Sequence, residues 1–198
     1  MPEHYFSSKP ASAEREIVIK DRVRGNYLTL YSAPSVFSKD HIDPGSRLLA
    51  QRCKIDSSMS VLDLGCGYGI VGIAVAKAFP GVRIVATDIN ERACELTKRN
   101  ATENGVAIDV RCGNLYDRVP ESFDAILLNP PQTAGKAVCF AMIDLGRAHL
   151  KPGGAFYLAA RPAKGGKTLA ARMAERIGAV DVVGRAAGYA VYRSTSPL

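Results

Sequence analysis

Residues 61–69 read Val61-Leu62-Asp63-Leu64-Gly65-Cys66-Gly67-Tyr68-Gly69, and this stretch decides the fold. An apolar run that ends in three alternating glycines and passes into Ile70-Val71-Gly72-Ile73 predicts a buried strand, a tight turn and a helix over 69–78. Working outward, apolar runs keep alternating with helical ones. Strands are predicted at 61–64, 83–88, 108–112, 124–128 and 155–160, with further helices at 91–104, 135–149 and 165–177. Apolar strands joined by helical crossovers are buried on both faces, which specifies an α/β, doubly wound, mostly parallel sheet. Leu169, Met173 and Ile177 line one face of the last helix, and two strands follow at 180–185 and 189–193 around Ala186-Ala187-Gly188. They predict a C-terminal antiparallel hairpin at one edge of a seven-stranded sheet.

The segment before the core has a different character. Ile17 and Ile19 alternate with Val18, and Leu28 and Leu30 alternate with Tyr27, Thr29 and Tyr31, on either side of Arg24-Gly25-Asn26, which is a hairpin signal. Asp43-Pro44-Gly45 punctuates the chain, and Ser46 is read as the cap of a short helix carrying Leu48 and Leu49. The expected organisation is a flexible tail at 1–14 and a single domain at 15–198. Within that domain, 15–58 form the N-terminal β-hairpin extension and helix, and 59–198 form the core.

Composition limits the function classes. The 198 residues are 47% hydrophobic and 23% charged, the balance of one globular domain rather than a disordered chain. No run of uncharged apolar residues is long enough to span a membrane, and the first residues lack the apolar stretch of a signal peptide, so a cytoplasmic protein is expected. Five cysteines lie far apart without a CxxC, which predicts free thiols and no metal site. The net charge of +7 is unevenly spread: residues 161–198 carry seven Lys+Arg against two Asp+Glu, whereas 59–160 carry ten of each. Arg161, Lys164 and Lys167, after the fifth core strand, are the candidates for a basic edge facing RNA. His41 and His149 are isolated and receive no role.

The glycine loop sits at the carboxyl end of a strand, where open α/β sheets bind ligands. A nicotinamide-type G-x-G-x-x-G would need glycine at the position of Ile70, which disfavours an oxidoreductase. Asp88, at the end of the second core strand, is suited to accept hydrogen bonds from vicinal ribose hydroxyls; alone, it also reads as part of a helix start beside Asn90. Cys66 reads as a small filler. Further on, Asp124-Ala125-Ile126-Leu127-Leu128 runs straight into Asn129-Pro130-Pro131-Gln132. Two prolines hold the chain extended and remove two donors, so carbonyls can face a ligand, and Asn129 adds a side-chain acceptor. Convergent acceptors can orient an exocyclic amine and stabilise the positive charge that develops when it is alkylated.

Asp-Leu-Gly-Cys-Gly-Tyr-Gly followed by Thr-Asp-Ile-Asn resembles the cofactor site of class I S-adenosylmethionine-dependent methyltransferases. The resemblance implies a Rossmann-like methyltransferase fold. It also implies that Asp63, Gly65, Cys66, Gly67 and Gly69 surround the methionine part of the cofactor, that Asp88 takes the ribose, and that Ile89 packs on the adenine. Asn114 stands where family members often carry an aspartate for the adenine amine. Asn129-Pro130-Pro131-Gln132 resembles the [DNS]-P-P-x tetrad of enzymes that methylate planar nitrogen, and implies catalytic roles for Asn129, Pro130 and Pro131, with Asn129 also beside the cofactor. Gln132 replaces the usual aromatic residue and is read either as a substrate contact or as a bystander.

Ser35-Val36-Phe37-Ser38 together with Asp43-Pro44-Gly45-Ser46-Arg47-Leu48-Leu49 looks like the stretch upstream of the core in the small methyltransferase family. That family includes ribosomal RNA small-subunit guanine-N2 methyltransferases, whose bacterial members carry a second, degenerate domain for which 198 residues leave no room. If the resemblance holds, 16–37 form a lid with Phe37 near the substrate; the alternative is an accessory hairpin whose tyrosines and Phe37 are core. The expected activity is methylation of a guanine N2 amine in ribosomal RNA, with structured RNA or the ribosomal small-subunit particle as partner and a monomer or weak homodimer as the working form. Methylation of a protein glutamine amide or a small molecule, and a non-catalytic RNA-binding module, are the alternatives.

Overall fold

Ser60–Leu64 is buried at every residue, as a strand covered on both faces must be, and it occupies the middle of the sheet. The computed structural model describes residues 17–34, 36, 40–131 and 134–198. The expected tail at 1–14, together with Phe37 and Gln132, lies outside the described residues. The strands are β1 (Ile17–Val23), β2 (Asn26–Ser32), β3 (Ser60–Leu64), β4 (Arg83–Asp88), β5 (Asp109–Cys112), β6 (Phe123–Leu128), β7 (Leu150–Ala160), β8 (Val180–Ala186) and β9 (Tyr189–Thr195). The helices are α1 (Pro44–Arg52), α2 (Ile70–Ala78), α3 (Glu91–Glu103), α4 (Lys136–Gly146) and α5 (Gly166–Arg176).

Seven strands form one sheet in the order β5-β4-β3-β6-β7-β9-β8, and β1 and β2 pair separately as a hairpin. Strands β3 to β7 are mutually parallel, while β9 runs antiparallel to both β7 and β8. The C-terminal hairpin is therefore present, with its second strand slotted inside the first. Strand order reverses between β3 and β6, so a crevice opens at their carboxyl ends, where the glycine loop and Asn129-Pro130-Pro131 emerge.

Successive side chains of β6 serve opposite layers. Ala125 and Leu127 join a core with α1, α2, α3 and the N-terminal hairpin, and Ile126 and Leu128 join a second core with α4 and α5. Leu169, Met173 and Ile177 are buried in that second layer, as the helical spacing predicts. The predicted helix at 135–149 ends at Gly146 and continues as a short 3-10 turn over Arg147–His149. His149 stacks on Tyr116 with ring centroids 4.4 Å apart.

Two expectations are corrected. The cap of α1 is Asp43, not Ser46: Pro44 opens the helix, and the Ser46 backbone N–H donates to Asp43 Oδ2 at 2.9 Å. Proline suits the first helical position because no intrahelical partner awaits its missing N–H. Of the hairpin tyrosines, Tyr31 packs against the core and Tyr27 does not. Val23, Leu28 and Leu30 are buried, whereas Tyr27 is 77% exposed and Tyr31 is half-buried beneath the Arg99 guanidinium, 3.6 Å from its ring centroid.

Among the described residues, the outer edge of β2 meets no further strand. Instead, Asn100 and Asn104, one turn apart on α3, act as a two-rung ladder. Their Oδ1 atoms accept from Tyr31 N–H (2.7 Å) and Thr29 N–H (3.1 Å), and their Nδ2 atoms donate to the same residues' carbonyls at 2.9 and 2.8 Å. Asn100 Nδ2 also donates to the Tyr68 carbonyl at 2.8 Å and so ties the hairpin to the glycine loop.

Candidate active site

The loop after β3 holds its shape by folding back on β4. The Gly65 and Cys66 N–H groups both donate to the Thr87 carbonyl (2.8 and 2.9 Å), and the Gly67 N–H donates to Asp88 Oδ2 at 2.9 Å. Gly69, at φ +88°, caps α2 against Thr97, whose Cγ2 would stand 2.8 Å from any Cβ placed there. A side chain at position 69 would meet both a strained backbone and a filled space.

Between this loop and the end of β6 lies a cavity of about 320 Å³. Asp63, Gly65, Cys66, Gly67, Asp88, Ile89, Asn114, Asn129, Pro130 and Pro131 all line it, so the structure brings together nearly all of the predicted cofactor and catalytic residues. Gly69 is not in the lining; it shapes the loop from behind. Ile89, Asn114 and Leu115 stand at the β4–β5 end, and Val36, from the exit of the hairpin, reaches the wall as well.

Asp88 is fixed from two sides, since Oδ1 accepts from Asn90 N–H and Oδ2 from Gly67 N–H, both at 2.9 Å. Burial raises its pKa above the ordinary carboxylate value. Asn90, not Asp88, caps α3, with its Oδ1 accepting from the Arg92 and Ala93 N–H groups. Cys66 is buried, and burial holds its thiol well above the usual range, with Sγ 3.5 Å from Thr97 Oγ1. It is a filler and not a nucleophile.

Asn129 is held by its amide nitrogen. Its Nδ2 donates to Asp43 Oδ2 and to Ser46 Oγ, both at 2.8 Å, so both amide hydrogens are spent on α1 and Oδ1 is left as an acceptor. Asp43 Oδ1 in turn accepts from the Tyr189 hydroxyl at 2.9 Å. In the same motif, the Pro131 carbonyl is engaged by the Ala134 N–H at 2.8 Å.

A family model described as "Methyltransferase small domain" matches residues 27–193. The chain belongs to this methyltransferase family. A relative from Bacillus subtilis (strain 168), "Uncharacterized protein YbxB", is 34% identical over 98% of both chains. "Ribosomal RNA small subunit methyltransferase C" of Haemophilus influenzae is 36% identical over 64% of this chain and 40% of its own length. Among solved structures, the T. thermophilus 16S rRNA N2 methyltransferase (RsmC), in complex with AdoMet and guanosine, superposes with a TM-score of 0.82 at 26% identity, covering 94% of this chain and 52% of that one. The chain thus spans the whole of one relative but about half or less of the ribosomal RNA enzymes it resembles.

For this family member, the substrate-side predictions fare unevenly. Arg161 does not project freely: its guanidinium packs over the Tyr189 ring, 4.8 Å from the centroid. Lys164 lies away from the main cavity, beside Lys136 and Thr168 on a second cleft of about 170 Å³ between the starts of α4 and α5. The C-terminal charge excess is partly neutralised, because Arg172 makes two 2.6 Å hydrogen bonds to Asp144 and another, at 2.8 Å, to Glu175. The site residues that the sequence analysis did not single out for a role are Asp43, Ser46 and Tyr189, which form one hydrogen-bond network with Asn129. The signal available for the first two is Asp43-Pro44-Gly45-Ser46 itself, and for Tyr189 the Gly188-Tyr189 finish. A Cβ at Gly45 would stand 2.5 Å from the Tyr189 ring and 2.8 Å from Asp43 Oδ2, so the glycine is there to let the ring close on the carboxylate.

Asp63 gives a testable pH dependence. Its carboxyl is buried, accepts from Gly72 N–H at 2.8 Å, and is pushed up to about 7 by burial and by the like charge of Asp88. A carboxyl with an ordinary pKa when unfolded and a raised one when folded contributes fully below pH 4, and that contribution is lost as pH rises towards 7. The ligand-free protein is therefore expected to lose up to about 4 kcal/mol between pH 4 and 8 relative to Asp63→Asn, whose side chain keeps the Gly72 acceptor without the charge. Urea unfolding of both proteins across that range measures the difference, and parallel curves would refute it.

Proposed function

We propose that this chain is an S-adenosylmethionine-dependent N-methyltransferase that modifies the exocyclic N2 amine of a guanine in ribosomal RNA. The observation that carries this reading is Asn129, held with both amide hydrogens turned towards α1 so that an oxygen acceptor remains for a substrate amine. The cavity fits the cofactor chemically. It presents two carboxylates, Asp63 and Asp88, to a cationic ligand, and the buried Thr87 Oγ1 in its wall has no hydrogen-bond partner. The loop backbone at Gly65, Cys66 and Gly67 would take the methionine part, Asp88 the ribose, and Ile89 and Asn114 the adenine. The T. thermophilus neighbour, bound to AdoMet and guanosine, supports the pairing of that cofactor with a guanine.

When bound, the cofactor supplies an electrophilic methyl on a sulfonium. Asn129 Oδ1 and the Pro130 carbonyl accept the two amine hydrogens and aim the nitrogen at that methyl. While the nitrogen gained the methyl and the methyl's bond to sulfur broke, leaving a neutral thioether, the same acceptors would stabilise the positive charge on nitrogen until one N–H proton passed to solvent; such stabilisation is worth most where water is excluded. Pro130 and Pro131 keep those carbonyls extended. Arg161 and Lys164 would approach RNA phosphates, with structured RNA or the small-subunit particle as substrate, a monomer or weak homodimer as the working form, and the cytoplasm as the place of action. Among the described residues, no helix is long and apolar enough to cross a membrane.

The test is to incubate the protein with labelled cofactor and ribosomal particles or total RNA from a strain lacking the gene, then map the modified nucleoside by mass spectrometry. N2-methylguanosine at one site is expected. Label in a protein glutamine, or none in RNA, would overturn the substrate. Calorimetric titration with the cofactor alone separates an enzyme from a binding module that has lost the site.

A further inference from the structure

We infer that Asp43 is a positioning residue for methyl transfer, fixing which end of the Asn129 amide meets the substrate; the inference rests on the N-methyltransferase reading. A primary amide can turn by half a revolution and exchange its oxygen for its nitrogen with almost no change in shape. At Asn129 the wrong orientation would present two N–H donors to an amine whose own hydrogens need acceptors. What decides the orientation is the opposite side of the amide, and there the structure supplies acceptors only where they are needed.

Asp43 Oδ2 lies 2.8 Å from Asn129 Nδ2, and Ser46 Oγ lies at the same distance. A carboxylate has no hydrogen to give, so turning the amide over would set oxygen against oxygen in a buried site. Asp43 is itself held by three donors: Asn129 Nδ2 and Ser46 N–H on one oxygen and the Tyr189 hydroxyl on the other, the latter beneath Arg161. It is 6% exposed. Three distant parts of the chain, α1, the end of β6 and the start of β9, thus meet on one carboxylate whose output is the direction of a single C=O.

The arrangement also has an electrostatic sense. The carboxylate stands directly behind the acceptor, so it polarises the amide towards its oxygen as positive charge grows on the substrate nitrogen. Ser46 cannot replace it, because a hydroxyl can donate as well as accept and would tolerate either amide orientation.

Asp43→Asn keeps a capping side chain at the start of α1 but can present either a donor or an acceptor to Asn129. Its kcat is expected to fall 10- to 100-fold, with KM and cofactor affinity within about threefold and Tm close to that of the parent. On an Asn129→Ala background the same substitution is expected to change the residual rate less than twofold, because there is no amide left to orient. Losses that multiply in the double variant would overturn the inference. A second readout does not depend on turnover. In the parent, the Asn129 side-chain NH2 should give one sharp, slowly exchanging pair of proton resonances, and in Asp43→Asn a broadened or doubled pair. An unchanged, slowly exchanging pair would refute the role of Asp43 even if the enzyme proved to methylate something other than guanine.

Discussion

Replacing Asn129 with alanine is expected to lower kcat at least 10³-fold while leaving the cofactor dissociation constant within about threefold. In the proposed mechanism the amide oxygen is one of two acceptors aimed at the amine, and removing one preorganised group that meets developing charge typically costs about 10²–10³ in rate. Here the loss is greater because the same oxygen also positions the nucleophile, whose lone pair is shared with the base ring and must be aimed at the methyl. Cofactor affinity is expected to be spared because the carboxylates proposed to face it, Asp63 and Asp88, leave from β3 and β4, not from β6. The substitution has a structural cost, since Asp43 Oδ2 and Ser46 Oγ lose a donor, on the order of 1–3 kcal/mol for a buried pair. Thermal unfolding followed alongside single-turnover rates and calorimetry separates these effects. An unchanged turnover number in a folded variant would remove Asn129 from the mechanism.

The second large effect is expected at Asp88. Alanine there should weaken cofactor binding about 100-fold or more, with transfer recovering towards the parent rate only when the cofactor saturates. Both carboxylate oxygens are already anchored by backbone N–H groups, of Gly67 and Asn90, so in the proposed site the side chain would meet the ribose without reorganising. Two charge-assisted hydrogen bonds to vicinal hydroxyls are each worth about 1.5–3 kcal/mol. Asp88→Asn keeps one acceptor and should fall between the two in calorimetric titration. Wild-type affinity in Asp88→Ala would mean that the ribose lies elsewhere.

The residues that could be read in sequence are those whose reason is local. The strand-to-glycine transition at 61–69, the carboxylate closing β4 and the prolines closing β6 are dictated by backbone geometry within a few residues, and all fall on one cavity. The alternation of apolar runs and helices was enough for the sheet, because a strand covered on both faces has few other homes. What stayed hidden is made by residues far apart in the chain. Asp43 and Asn129 are separated by 86 positions, and Tyr189 and Asp43 by 146. Ser46 reads as a helix cap because serine commonly is one; Pro44 at the first helical position instead starts the helix three residues nearer the N-terminus, and Asp43 takes the role. Likewise, the spacing of Arg161 and the C-terminal cations could not show that Tyr189, Asp144 and Glu175 hold several of them.

The asparagine ladder on α3 has a consequence beyond docking the hairpin. Asn100 divides its two amide hydrogens between the Tyr31 carbonyl in β2 and the Tyr68 carbonyl in the glycine loop. One buried side chain therefore belongs to two structural units: opening the hairpin strands two of its three hydrogen bonds, and opening the loop strands the third. By reciprocity, a ligand that binds the ordered loop more tightly than the open one steadies the hairpin by the same coupling free energy, and loosening the hairpin weakens that ligand's affinity by the same factor. A two-stranded appendage that contributes no chemistry is in this way made a thermodynamic partner of the ligand.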